Sequence, residues 1–358
     1  MSSRAERLVS LLDDVDILLV TELVNLRYLA GYTGSNGIAL IGPATRAFIT
    51  DFRYLEQSAE EVSGEFDRLI AQAPLELTSL IEGALPAGEL RLGFEAEHAS
   101  VSAHERLLEL LPGRVELVAT TGLVERMRAI KEPEEIACIR AAAALADAAL
   151  ERLLRGGLAG RTEREVALAL ETDMRARGAT RSSFDSIVAA GAHGALPHAQ
   201  PRDAEIKRGD MVVIDWGAQL DGYCSDCTRT VAAGDPGDDA RAIYELVLEA
   251  QTAGVEAVAA GRGTREVDGR AREVIDAGGH GQEFGHGLGH GVGLDIHEAP
   301  TLSPRVENQR LEAGNVVTIE PGLYLPGRFG VRIEDLVVVT GDGSEILTSV
   351  PKRLTVVD

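Results

Sequence analysis

Residues Val212–Thr230 read VVIDWGAQLDGYCSDCTRT, and this stretch decides the architecture of the C-terminal half. Asp221-Gly222 is a two-residue hairpin signal, because both residue types tolerate the positive φ that a tight turn between twisted strands requires. Pairing about that turn sets Asp226 opposite Gly217, with Asp215 one diagonal step away on the same face. Diagonal neighbours lie roughly 7–8 Å apart at the backbone, so the two carboxylates converge on one site. Two unpaired aspartates there repel unless a cation neutralises them, and Gly217 leaves room between them. Trp216 and the apolar run MVVI (211–214) place the pair at the edge of a core and not in water. The hairpin therefore reads as one half of a metal site. Cys224 and Cys227 form C-x-x-C, but they lack the second pair of a zinc knuckle and the helix start of a redox motif. They read as small, half-buried strand residues.

The rest of such a site lies further along the chain. Glu320 closes VVTIEPG and Glu334 sits in VRIED, just before LVVV. FGHGLGHGVGLDIHE (Phe284–Glu298) packs five glycines and three histidines into fifteen positions, in a chain with eight histidines. Glycine gives up packing area and backbone entropy, so such a run implies a close approach to the backbone. His286 and His290 are four apart and face one side of an extended segment; one can ligate metal while the other meets substrate. His297 lies an odd step from His290 and needs a bend to reach them. His198, in GALPHAQPRD, is a fourth candidate. Asp215, Asp226, Glu320, Glu334 and one histidine make an oxygen-rich ligand set that suits Mn, Co or Zn. Four carboxylates carry enough charge for two divalent ions and a hydrolytic water.

Bulk properties bound the partners. The net charge of −22, spread along the chain, argues against nucleic acid or an anionic membrane as partner. Three cysteines suit a reducing compartment, and Asp13, Asp14 and Asp16 interrupt any signal-peptide core, so a cytoplasmic protein is expected.

The chain divides by texture. Residues 1–125 alternate short apolar runs, such as LLV (18–20), IALIG (38–42) and AFITD (47–51), with helical stretches at 53–62 and 103–112. That pattern is α/β, with parallel strands expected. Residues 126–358 open on a Lys-Glu-Pro helix start and a long alanine-rich helix. Thr162-x-x-Glu165 follows as a capping box, then β-rich sequence interrupted by a helix at 239–258. The C-terminal domain is therefore α+β with a largely antiparallel sheet.

Taken in order, the hairpin, the glycine–histidine run, VVTIEPGLYL and GVRIED resemble the pita-bread dinuclear metallopeptidases of the aminopeptidase P and prolidase group. MRAIKEPEEI, SSFDSIVAAG, LPHAQP and the N-terminal NLRYLAGYTGSNG and AFITDFRY fit as well, so the resemblance spans the chain. It implies an α/β creatinase-like N-terminal domain followed by an α+β pita-bread (creatinase/aminopeptidase-like) catalytic domain. It implies Asp215, Asp226, His290, Glu320 and Glu334 as metal ligands, with Asp226 and Glu334 bridging two divalent ions. Mn²⁺ is the expected metal, with Co²⁺ or Zn²⁺ as alternatives. Glu320 is further implied as the acceptor of the water's proton. His198 and His297 would stabilise the tetrahedral centre and pass a proton to proline nitrogen. His286 would stand near the proline, and Arg332 would join the proton path.

The substrates so implied are proline-containing peptides, and the assembly a homodimer. A strict dipeptidase needs a group that captures the substrate's free carboxylate. GYTGSNG (31–37) carries no charged residue, so the reading favours an Xaa-Pro aminopeptidase over an Xaa-Pro dipeptidase (prolidase). A non-catalytic binding protein on the same fold would have lost ligands, and all five positions are filled.

Overall fold

The computed structural model describes residues 2–358, the side chain of residue 75 excepted. It divides into a compact unit ending at Arg128 and a second, Ala129–Asp358. The sequence-expected join at 125/126 and this division both fall within helix Leu123–Ala129. No helix among the described residues is long and apolar enough to cross a membrane.

The first unit is built on one six-stranded sheet. Across it the strands run Asp67–Ala71, Thr45–Asp51, Ile38–Gly42, Ile17–Val20, Leu90–Glu95, Val115–Thr120. Ile17, Leu19, Ile38, Leu40, Ile49 and Leu92 share one buried cluster. Three neighbouring pairs are parallel, as expected, but one strand makes the sheet mixed. Ile38–Gly42 runs antiparallel to both neighbours; only Pro43 and Ala44 separate it from one of them, Thr45–Asp51. A two-residue link makes a hairpin, whereas a parallel crossover needs a dozen residues or more.

In the second unit the decisive hairpin forms as its turn dictates. Asp221 and Gly222 take φ of 48° and 80°, and the register holds outward through Gln219↔Cys224, Cys227↔Trp216 and Thr228↔Asp215. Trp216 is fully buried and donates Nε1–H to Ala146 O at 2.9 Å. That contact requires helix Pro133–Leu154 to lie close, and Ala146 and Ala149 of that helix share a buried cluster with Trp216. Small side chains on the facing stripe permit the approach. Helix Glu163–Ala176 starts at the expected capping box, with Thr162 Oγ1 accepting from Glu165 N and Glu165 accepting from Thr162 N.

A second, antiparallel sheet runs Glu298–Leu302, Gly289–Gly291, Val316–Ile319, Asp335–Val339, Ser344–Ile346. Helices Asp238–Ala257 and Thr264–Ala277 cover it through Val247, Ala250, Val267, Ala271 and Ile275, packed with Val317, Ile319 and Val337. The latter helix escapes a reading by composition, being mostly polar with Gly269 inside. Its signal is a sparse stripe: Thr264, Val267, Asp268, Ala271 and Ile275 are buried at helical spacing. Cys224 and Cys227 are buried strand residues with free thiols.

Candidate metal centre

Strand ends deliver the acids. Asp215 stands near the end of Met211–Trp216, Asp226 just before Cys227–Ala233, and Glu334 between Phe329–Arg332 and Asp335–Val339. Each offers an oxygen within 4.8 Å of the others. Asp226 and Glu334 are buried. Burial lifts the Asp226 and Glu334 carboxyls well above the carboxylate range; repulsion from Glu334, Asp215 and Glu320 adds to it at Asp226, and repulsion from Glu320 and Asp215 at Glu334. Asp215 Oδ1 and Glu334 Oε1 are buried with no hydrogen-bond partner. A buried carboxylate oxygen without a donor is costly, and a divalent cation is the ligand this donor set fits. Gly217 serves a different purpose from the one its position suggests. A Cβ there would lie 2.0 Å from Ser225 O, so the glycine admits neighbouring backbone and leaves no gap for an ion.

His290 and Glu320 close the cluster from the other sheet. His290 Nε2 lies 3.6 Å from Asp226 Oδ2 and 3.4 Å from Glu320 Oε1. Its Nδ1 is 3.0 Å from Gly291 O, so Nδ1–H donates to that carbonyl and the Nε2 lone pair faces the acids. This is the tautomer a metal ligand needs. Burial holds the imidazole below its usual pKa, hence neutral. The flanking glycines are obligatory: a Cβ at Gly289 would lie 2.0 Å from Thr318 O, and one at Gly291 2.3 Å from Ala299 O. Thr318 Oγ1 accepts from His290 N and lies 3.1 Å from Glu320 Oε1, joining the two residues.

The remaining expected residues gather at the same place. Arg332, buried, donates to Asp215 Oδ2 at 2.6 Å, to Thr228 Oγ1 at 3.0 Å and to Tyr324 Oη at 2.8 Å. Tyr324 Oη is 3.0 Å from His286 Nε2, and His286 Nδ1 is 2.7 Å from Gly287 O. The tyrosine therefore accepts from Arg332 and donates to His286. His297 is brought round by the turn at 293–298, where Glu298 accepts from Asp295 N and pairs with buried Lys131 at 2.9 Å. Its ring centroid lies 4.3 Å from that of His290. His198 is exposed on its loop, close enough to His286 and His297 to disfavour their charged forms. Thr228 and Tyr324 are site residues a motif-by-motif reading misses. The available signal was strand periodicity, since Thr228 lies two residues beyond Asp226. Thr228 Oγ1 donates to Glu334 Oε2 at 2.7 Å.

Supports stand behind the ligands. Asp268 and Arg272 form a two-bond fork at 3.0 Å each. Arg272 donates to Phe284 O and His286 O, and Asp268 accepts from Leu288 N. A glycine-rich segment with few side chains to pack is thus fixed through its backbone. Next to Glu334, Asp335 pairs with Arg229 at 2.8 Å, with side chains only 1% and 2% exposed, and also with Lys352 at 2.9 Å. Removing one partner of so buried a pair costs about 3–5 kcal/mol. Asp335→Ala is expected to lower the urea midpoint accordingly, and an unchanged midpoint would show that the pair adds nothing to stability.

Comparison with known proteins agrees with this geometry. Residues 137–341 match the model for metallopeptidase family M24, and residues 4–130 that for the creatinase/prolidase N-terminal domain. The structure of an Xaa-Pro dipeptidase from Bacillus anthracis superposes with a TM-score of 0.94 at 42% identity, covering 99% of both chains. That of an X-Pro aminopeptidase from Thermotoga maritima gives 0.91 at 37%, covering 99% of this chain and 100% of that one. The Xaa-Pro dipeptidase of Pyrococcus furiosus is 37% identical over 99% of this chain and all of its own. The C-terminal fold is the pita-bread fold, and a family whose chemistry depends on divalent metal accounts for buried carboxylates left without donors: this chain belongs to metallopeptidase family M24.

Proposed function

We propose that the protein is an Xaa-Pro dipeptidase, hydrolysing the bond between an N-terminal residue and a C-terminal proline. The observation that carries this reading is the convergence of Asp215, Asp226, Glu334, Glu320 and His290 with two donorless buried oxygens. Names borne by similar proteins, from Bacillus anthracis and Pyrococcus furiosus, favour a dipeptidase over the aminopeptidase first expected. That expectation rested on an uncharged loop at 31–37. The loop carries no charge of its own, but its polar groups bond charged side chains outside it: Thr33 bonds Glu61, and Asn36 bonds Asp51, which Arg53 pairs bidentately. Charges contributed from outside a loop are invisible in the loop's own sequence. The Thermotoga maritima X-Pro aminopeptidase keeps an aminopeptidase as the second reading.

Asp215, Asp226, His290, Glu320 and Glu334 would hold two divalent ions, Mn²⁺ first, in a cytoplasmic homodimer. Such ions supply a water nucleophile activated at neutral pH. Glu320, held by Thr318, would accept the proton of the attacking water. His297 and His198 stabilise charge on the carbonyl oxygen and return a proton to the leaving nitrogen, which as a tertiary amide carries none of its own. Tyr324 and Arg332 fix His286 beside the proline and hold Asp215 in place.

The test uses Mn²⁺-loaded protein with Ala-Pro, Ala-Pro-Ala and Ala-Ala-Ala, following free alanine against a chelated control. Metal-dependent release from Ala-Pro alone is expected. Release from Ala-Pro-Ala at least as fast moves the assignment to the aminopeptidase, and no metal-dependent release from any of them refutes both.

A further inference from the structure

We propose that Glu163, which is not among the proposed metal ligands, is a positioning residue for His198. The proposal rests on the assignment of His198 to the reaction made above. Glu163 is the first residue of helix Glu163–Ala176, where a carboxylate normally faces water and complements the helix dipole. Here the side chain turns inward and is 1% exposed. Burying a carboxylate is unfavourable unless its oxygens are satisfied by donors, and every donor comes from one segment. Ala190 N reaches Oε1 at 2.9 Å, Arg202 N reaches Oε2 at 3.0 Å, and His193 Nδ1 lies 2.9 Å from both oxygens. Arg202 also approaches through its guanidinium at 3.5 Å, but that side chain is 56% exposed and adds little.

The placement of these donors is informative. Ala190 ends strand Ile187–Ala190, His193 lies in the 3₁₀ turn Gly191–Ala195, and Arg202 lies beyond His198. One carboxylate therefore ties both ends and the first turn of the segment that presents His198. Backbone bonds fasten only its far end to the helix start: Glu163 N and Arg164 N donate to Ala204 O and Arg202 O. Between these anchors, Pro197 O accepts from Arg332 Nη1 at 3.1 Å, so the peptide next to His198 is held by a residue that also holds Asp215. His198 itself is exposed and needs its backbone fixed to be in place before substrate arrives. Misplacement of a reacting group by about 1 Å costs on the order of 100-fold in rate.

A double-mutant cycle separates positioning from general support. Turnover of Ala-Pro at saturating Mn²⁺ is measured for wild type, Glu163→Gln, His198→Ala and the double variant, with bound Mn²⁺ as a second readout. Glu163→Gln should lower kcat by about 10- to 100-fold with KM and Mn²⁺ content unchanged. In the His198→Ala background the same change should cost less than about twofold, because the group it positions is gone. His193→Gln, which leaves both backbone bonds in place, should show a smaller loss that also vanishes in that background; it serves if Glu163→Gln folds poorly. An equal loss in both backgrounds, or full turnover in Glu163→Gln, overturns the role of Glu163 alone. A His198→Ala enzyme at full speed overturns the role of His198 and this proposal with it.

Discussion

Replacing Glu334 by alanine is expected to abolish peptide hydrolysis, with a loss of more than about a thousandfold, equivalent to ~4 kcal/mol of transition-state stabilisation. The side chain is held by the protein's own groups: Thr228 Oγ1 donates to Oε2, Glu334 N donates to Thr228 O, and Oε1 is buried without a donor. Asp226→Ala should do the same, since Asp226 stands within reach of Asp215, Glu334 and His290 together. Ala-Pro hydrolysis after exhaustive chelation and Mn²⁺ add-back measures both, and full activity in either variant would sink the paired-ion site. The reciprocal effect on stability has the opposite sign. In metal-free protein Asp226→Asn removes one of several mutually repelling buried acids, so its melting temperature should equal or exceed that of wild type. Saturating Mn²⁺ should then stabilise wild type by about RT ln(1 + [Mn²⁺]/Kd) and the variant much less.

His297→Ala is expected to keep its metal and lose turnover by about 10²- to 10⁴-fold, the range for a positioned proton-transfer group. The ring lies against that of His290, yet the residue is exposed at its outer edge. Its partial burial and the two neighbouring imidazoles, His290 and His198, hold it below the usual histidine pKa. It is therefore neutral at pH 7 and available on the substrate side. His290→Ala, by contrast, should lose bound metal and turnover together. Comparing Mn²⁺ content and kcat for the two variants checks the distinction, and unchanged turnover in His297→Ala removes that residue from the mechanism.

Most of the candidate site was legible because its acids stand on, or within two residues of, strand ends. A two-residue turn at Asp221-Gly222 fixes pairing as far as Thr228↔Asp215, so two acids could be placed on one face from the turn alone. The glycines about His290 announced a close backbone approach, and Thr318 O and Ala299 O are what approaches. What stayed hidden depends on partners distant in sequence. Tyr324 gains meaning only when Arg332 and His286 bracket it, and Asp268 and Arg272 only when their helix meets the 284–288 backbone. Gly217 was misread because it was judged against its cross-strand partner, whereas Ser225 O is the atom pressing on it. In the first unit, alternation of apolar runs suggested parallel strands, and the link at Pro43-Ala44 was too short for them.

The proposed function requires that the carboxylate cluster hold the divalent ions on which hydrolysis depends. Equilibrium dialysis of chelated protein against Mn²⁺, for wild type and Asp226→Asn side by side, tests it without reference to activity. Two ions per chain are expected in wild type, with a clear loss in the variant. A wild-type protein that retains no Mn²⁺, or a variant that binds it undiminished, would contradict that requirement.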